Sequence, residues 1–248
     1  QQRHRRRALR EAGIGALLLC VLGLSLRQDA PPPELVLRTT VGEIRETPLQ
    51  DGSRVVLSPG SEVRVRIDGQ RRQLQLKKGQ AWFQVAADAD RPFQVRTPHG
   101  RVTALGTAFD VAVQNGSSVV TVTEHQVRVD SGSGSGEASQ GEQLRFDGQT
   151  PGTPSAAPAG VLAWRERRLH WVSAPLEDVA RGLDRWDGGH TWIMGARLRQ
   201  QRVTVLGNAT GATGTRDQLA RQLQVRVLRI GPGLQLWLSS THGTGHAP

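Results

Sequence analysis

Seven histidines, one cysteine and an Asp-Gly pair are the side chains from which metal, nucleophilic or acid–base chemistry would have to be built, and their spacing builds none. His4, His99, His125, His170, His190, His242 and His246 fall on separate segments, whereas a zinc site needs three or four convergent ligands. His242 and His246 are four apart, but in a glycine-rich end rather than on a helix. Cys20 is alone, which excludes a disulfide framework and a thiolate site. It lies inside an apolar run as a small hydrophobe, and Leu19 before it is too large for a lipid-attachment site. Asp51 precedes Gly52 and reads as a hairpin-turn residue rather than an acid catalyst. No Ser/His/Asp spacing and no phosphate-cradling glycine loop is present. The chain is therefore expected to turn over no external small-molecule substrate and to need no cofactor or metal.

The net charge of +10 does not point to nucleic acid. Arg3, Arg5, Arg6, Arg7 and Arg10, set against Glu11, account for four of those charges within a basic stub, residues 1–11. The remainder is spread thinly, with arginines alternating with apolar residues as the solvated face of a sheet would have them. A nucleic-acid binder would gather its charge on one element. An apolar run, residues 12–27, follows the stub. As a helix its Ala12–Leu26 core spans roughly 22 Å, short of a ~30 Å hydrocarbon layer, with Arg10 and Arg27 placed to snorkel. No small-x-small cleavage site follows, and Pro31-Pro32-Pro33 comes next, so a retained membrane helix is expected rather than a signal peptide. Arginines ahead of the run place the N-terminus in the cytoplasm and the body in the periplasm of a bacterial inner membrane. The chain opens on Gln and Met194 is its sole methionine, so further sequence is expected upstream.

From Leu35 to Phe146 the hydrophobic period is two: Val63, Val65 and Ile67 alternate with Arg64 and Arg66, and Leu74 and Leu76 with Gln73 and Gln75. Turn dipeptides such as Asp51-Gly52, Pro59-Gly60, Asp68-Gly69 and Asn115-Gly116 recur between the runs. Residues 35–147 thus predict a mainly β domain, a sandwich, barrel or short solenoid. Gly132 to Gly136 reads as a flexible hairpin insertion and residues 148–160 as an interdomain linker. Beyond it, residues 161–240 carry strand, helix, strand, strand, helix and two strands, a small two-layer α/β module. Pro175 opens a helix with Leu176, Val179, Leu183 and Trp186 on one face; Thr215 is the expected N-cap of a second helix over 217–223. Residues 241–248 form a loose tail. Trp164, Trp171, Trp186, Trp192 and Trp237 crowd the last module, mostly as core with one expected at a docking surface, where Trp is enriched.

The β segment resembles the FecR-like transmembrane regulators that partner extracytoplasmic-function sigma factors. The resemblance runs through Thr40-Val41-Gly42-Glu43, Leu49-Gln50-Asp51-Gly52-Ser53, Ser61, Lys78-Gly79-Gln80-Ala81-Trp82-Phe83, Arg91-Pro92-Phe93 and Ala104-Leu105-Gly106-Thr107-Ala108-Phe109-Asp110-Val111. The 161–240 segment resembles the short secretin/TonB-type domain that ends many such sensors. The resemblance implies two partners. One is the signalling domain of a TonB-dependent outer-membrane siderophore or metal-chelate transporter, docked on an unassigned surface within 161–240. The other is a sigma factor, held by a cytosolic domain of which only the basic stub is seen here. It also implies self-cleavage between Gly106 and Thr107 by an N-to-O acyl shift, which a glycine would ease by tolerating a twisted backbone. One departure is Glu124-His125, where the family has Glu-Gly or a similar turn. The competing reading is an anchored, exported β protein that grips cell-wall polymer or polysaccharide. It requires exposed aromatics on the β domain, and adjacent Trp82 and Phe83 allow at most one.

Overall fold

The structure is a computed structural model that describes residues 34–231 and 233–239. The stub, the apolar run 12–27 and the tail 241–248 lie outside the described residues. No helix among the described residues is long and apolar enough to cross a membrane.

The chain first forms β1 (Leu35–Arg38), β2 (Arg45–Pro48), β3 (Arg54–Leu57), β4 (Glu62–Ile67), β5 (Arg72–Lys78), β6 (Gln80–Gln84) and β7 (Phe93–Thr97). It continues with β8 (Gly100–Ala104), β9 (Ala108–Gln114), β10 (Ser117–Glu124), β11 (Gln126–Ser131), β12 (Gly134–Ser139), β13 (Glu142–Phe146) and β14 (Ser155–Ala156). One sheet has the order β1-β4-β5-β7-β8-β11-β12 and the other β14-β13-β10-β9-β6-β3-β2. Each sheet therefore advances in chain order while the chain alternates between them. The result is a sandwich wound like a flattened solenoid. Alternation explains the packing: Val63, Val65, Leu74 and Leu76 point into one core with Phe83, Phe93 and Phe109. The Phe83 ring lies 5.3 Å from Phe109 and 6.0 Å from Phe93, centroid to centroid. Each such side chain, fully buried, stabilises the fold by roughly 1.5–3 kcal/mol.

Two expectations need correction here. The Gly132–Gly136 segment is not a flexible insertion: after a turn at Gly132-Ser133 it becomes β12, paired with β11 from Gln126↔Ser139 to Ser131↔Gly134. Glycine is required because residues 150–151 lie across the strand; a Cβ on Gly134 would meet Thr150 Cγ2 at 2.8 Å. The segment 148–160 is correspondingly not a free linker, since Ser155 and Ala156 pair with Gln143 and Glu142 as an edge strand. Most strand arginines of the sandwich are solvated, as expected, and Arg72 is the exception. Arg72 is 1 % exposed and donates to Arg91 O at 2.6 Å, Ala86 O at 2.8 Å, Asp88 O at 3.1 Å and Asp51 Oδ2 at 3.3 Å. Asp51 does sit in its turn, accepting from Ser53 N and Oγ, but it is also the buried counter-ion of Arg72. At the family departure, His125 adopts φ 58°, a conformation that glycine takes without strain.

A 3₁₀ turn, Ala163–Glu166, leads into β15 (Arg168–Pro175), α1 (Leu176–Asp187), β16 (His190–Ile193), α2 (Ala196–Gln200), β17 (Arg202–Asn208), α3 (Ala212–Gln222), β18 (Arg226–Arg229) and β19 (Leu234–Leu238). β15 pairs with β17, and β16-β19-β18 form a second sheet in which β16 and β19 are parallel. Leu176, Val179 and Leu183 of α1 pack with Leu219, Val205 and Trp237 in a separate core. Thr215 is not an N-cap: α3 starts at Ala212, with Gly211 at the cap position and no side-chain capping bond. α1 and α3 are tied instead by Arg216, 3 % exposed, whose Nη2 reaches Asp184 at 2.6 Å and Asp187 at 2.7 Å.

Candidate functional site

Gly106 and Thr107 form the bend between β8 and β9, and the chain around residues 85–91 holds them. Val85 N donates to Thr107 O at 2.9 Å and Asp88 N to Leu105 O at 3.0 Å. That same segment presents the Ala86, Asp88 and Arg91 carbonyls to Arg72. The buried guanidinium thus indirectly positions the bend. Gly106 does not have a left-handed φ. What excludes a side chain there is close approach, because a Cβ would stand 2.9 Å from Ala87 Cα. Thr107 is buried, and its Oγ1 has no hydrogen-bond partner among the described residues. Leaving a buried hydroxyl unpaired costs about 1–3 kcal/mol, and no side chain holds it away from its own backbone.

A second constellation lies on the outer face of the other sheet, where Val56, Trp82, Asp110 and Thr121 stand in register across β3, β6, β9 and β10. This face is covered rather than solvated. Trp164, from the 3₁₀ turn, packs on Val56, Trp82 and Ala108, with Trp186 of α1 beside it. Its indole Nε1 donates to Asp110 Oδ1 at 3.1 Å, while Gln80 Nε2 donates to Oδ2 at 2.9 Å. The Arg165 guanidinium stacks on the Trp82 ring, 3.8 Å from its centroid, a cation–π contact. Farther out, Gly42 N donates to Arg185 O at 3.0 Å and Arg167 Nη1 to Gly42 O at 3.2 Å. Asp110 is 2 % exposed, and burial pushes its carboxyl up to about 7 against the lowering effect of the Gln80 and Trp164 hydrogen bonds and of Arg165. A cleft of about 510 Å³ opens beside this junction, lined by Gln80, Asp110, Arg145, Trp164, Trp171 and Arg185 among others.

Sequence reasoning missed Asp110, Arg165 and Arg72. Trp82 does point outward, as one member of the Trp82-Phe83 pair had to, but it is 6 % exposed beneath the 3₁₀ turn. Phe83, Phe93, Phe109 and Phe146 are buried as well, so the sandwich presents no exposed aromatic for a polysaccharide to stack on. Among the described residues no three His, Cys, Asp or Glu side chains gather as metal ligands.

Residues 36–128 match the family model described as FecR protein. Over these residues the sandwich is similar to a FecR domain. The sequence fragments that carry the resemblance acquire physical roles in the fold. Gly79 turns at φ 85°, and a Cβ there would collide with Ser61, whose hydroxyl bridges Gln80 N and O at 3.0 Å each. Two crystal structures, at 2.50 and 1.65 Å resolution, of a protein from Parabacteroides distasonis ATCC 8503 described as a "putative anti-sigma factor" share the fold. Their TM-scores are 0.73 and 0.72 at 21 % identity, covering 84 % and 82 % of this chain and 100 % and 98 % of theirs. That coverage exceeds what the FecR domain alone could supply, so the likeness of fold extends into the α/β body. No curated protein matches the sequence significantly.

Proposed function

We propose that this chain is a single-pass inner-membrane regulator of an extracytoplasmic-function sigma factor, with its FecR domain and α/β body in the periplasm. The α/β body, of the short secretin/TonB type, receives the signalling domain of a TonB-dependent siderophore or metal-chelate transporter. The FecR domain passes the change in occupancy toward the membrane helix, residues 12–27, and the sigma factor beyond. The observation that carries this reading is the FecR match over residues 36–128, joined to an α/β body through the Trp164–Asp110 contact and its stacked neighbours. A relay needs such a coupled pair of bodies and a docking surface, and edge or face contacts between small α/β modules supply the second. Placement is tested by fusing alkaline phosphatase after Ser239. Strong phosphatase activity in whole cells is expected; an inactive fusion of equal abundance contradicts the topology and the relay with it.

The same reading makes Gly106–Thr107 a self-cleavage site. Thr107 Oγ1 attacks the Gly106 carbonyl carbon, the C–N bond breaks and the proton passes to nitrogen, leaving an ester and a free Thr107 amine. Water then hydrolyses the ester to a Gly106 carboxylate and the restored hydroxyl. The pieces stay together because β8 and β9 belong to different sheets of one core. Support comes from the buried, unpartnered hydroxyl. Thr107→Val keeps the shape and removes the unpaired group, so it is expected to leave stability unchanged or raised by up to about 1 kcal/mol while giving only full-length protein by intact-mass spectrometry. Fragments meeting at residue 106 in the valine variant would rule out the acyl shift.

A further inference from the structure

The β16-β19-β18 sheet has one face against helices and one without cover among the described residues. Ile193, Trp237 and Val227 face the α1–α3 core; the alternate positions face out. In register across that outer face run Trp192, Leu236 and Leu228, then His190, Leu234 and Ile230. Trp192 is 63 %, Ile230 55 % and Met194, at the end of β16, 53 % exposed. A sheet with one solvated face ordinarily alternates to polar side chains there, as β4 does with Arg64 and Arg66. A contiguous apolar face with an exposed Trp on its edge strand instead marks an interface.

Charge narrows the occupant. From Gly188 to Ser239 the chain has seven arginines and one acid, Asp217, and Asp217 is already paired with Arg229 at 3.2 Å. Arg226, on the outer face opposite Leu238, and Arg197 and Arg199, just past Met194, have no carboxylate partner among the described residues. A second copy would set these arginines against their own kind, which disfavours a symmetric dimer. Residues 240–248 hold no Leu, Ile, Val, Phe or Trp and cannot fill the face.

We propose that this face docks a folded protein domain that presents an apolar surface bordered by Asp and Glu. The proposal rests on the relay reading above and locates its docking surface: the transporter's signalling domain sits on Trp192, Leu228 and Leu236, with carboxylates against Arg226, Arg197 and Arg199. The test is titration of the full chain, in detergent, with the isolated signalling domains of the TonB-dependent transporters of the same organism. Trp192→Glu with Leu228→Glu is expected to weaken binding at least ~30-fold, and Arg226→Glu several-fold. Leu206→Glu, exposed on the other small sheet, should bind as wild type, and 0.5 M salt should weaken wild-type binding more than that of Arg226→Glu. Wild-type binding that survives the double substitution within about 3-fold overturns the docking face but leaves the relay standing. If the wild-type chain binds no such domain, both fall. A wild-type dimer that becomes monomeric in the double variant, measured by light scattering, assigns the face to a second copy and overturns the proposal. Should the double variant fail to fold, unaltered affinity of Arg226→Glu at low salt has the same force.

Discussion

Arg72→Leu lowers the free energy of unfolding by about 3–5 kcal/mol in urea denaturation, the largest effect expected of any single substitution in the FecR domain. The reason is not the 3.3 Å contact with Asp51 taken alone. Removing the guanidinium leaves Asp51 charged and buried, and deprives the carbonyls of Ala86, Asp88 and Arg91 of their donors at once. Both members of the pair have side chains 1 % exposed, so water cannot take the guanidinium's place. Arg72→Leu combined with Asp51→Asn should recover part of the loss, since the stranded charge is then gone. The effect reaches the Gly106–Thr107 bend, because the segment that Arg72 holds is the one that fixes Leu105 and Thr107. Proteolysis near residues 86–91 should become faster in the single variant. A loss below about 1 kcal/mol would mean that the segment is held by something other than this side chain.

The second large effect is a pH dependence centred on Asp110. Its folded-state pKa of about 7 stands above the ordinary carboxylate value of 3.8, so the folded state binds a proton over a range in which the unfolded chain does not. The stability this confers is fully present below about pH 4 and is lost progressively as pH rises to about 7, in total on the order of 4 kcal/mol. Glu43 acts in the opposite sense: hydrogen bonds from the Thr40 backbone and hydroxyl and from Arg45 lower it to about 2, so its contribution is lost on acidification. The comparison with Asp110→Asn separates the two. The asparagine variant should match wild type near pH 4.5 and exceed it near pH 8. Gln80 can rotate its amide to accept from the new amide, as it can from a protonated Asp110. Thermal melts at both pH values check this; identical pH profiles for the two proteins would show that Asp110 is not buried by Trp164 in solution. Because the carboxyl receives the Trp164 N–H, protonation also changes the junction between the FecR domain and the 3₁₀ turn.

Much of the sandwich was legible because alternation is local. Val63 and Val65, or Leu74 and Leu76, declare their face within three residues. Arg72 was legible on the same rule, since it shares parity with Leu74 and Leu76, but the habit of treating arginine as solvated overrode the pattern. Gly132, Gly134 and Gly136 also alternate, and their lack of side chains signals a strand lying under residues 150–151 rather than a loose insertion. Asp110 could not be found that way. By parity it belongs to the solvent face, and its burial depends on Trp164, 54 residues later. The outer face of β16-β19-β18 was written plainly in Trp192, Leu228, Leu234 and Leu236. It could not be recognised as uncovered until the register placed those residues side by side.

The proposed relay, in which this chain reaches a sigma factor by protein contact from outside the membrane, is measured by transcription from promoters read by the extracytoplasmic-function sigma factors of the same organism. The cells compared have the gene intact, deleted, and restored as a form ending before residue 161. Deletion should change the output of one such promoter, and the truncated form should restore basal control without the response to the transporter's ligand. Equal output in all three strains, with and without that ligand, would contradict it.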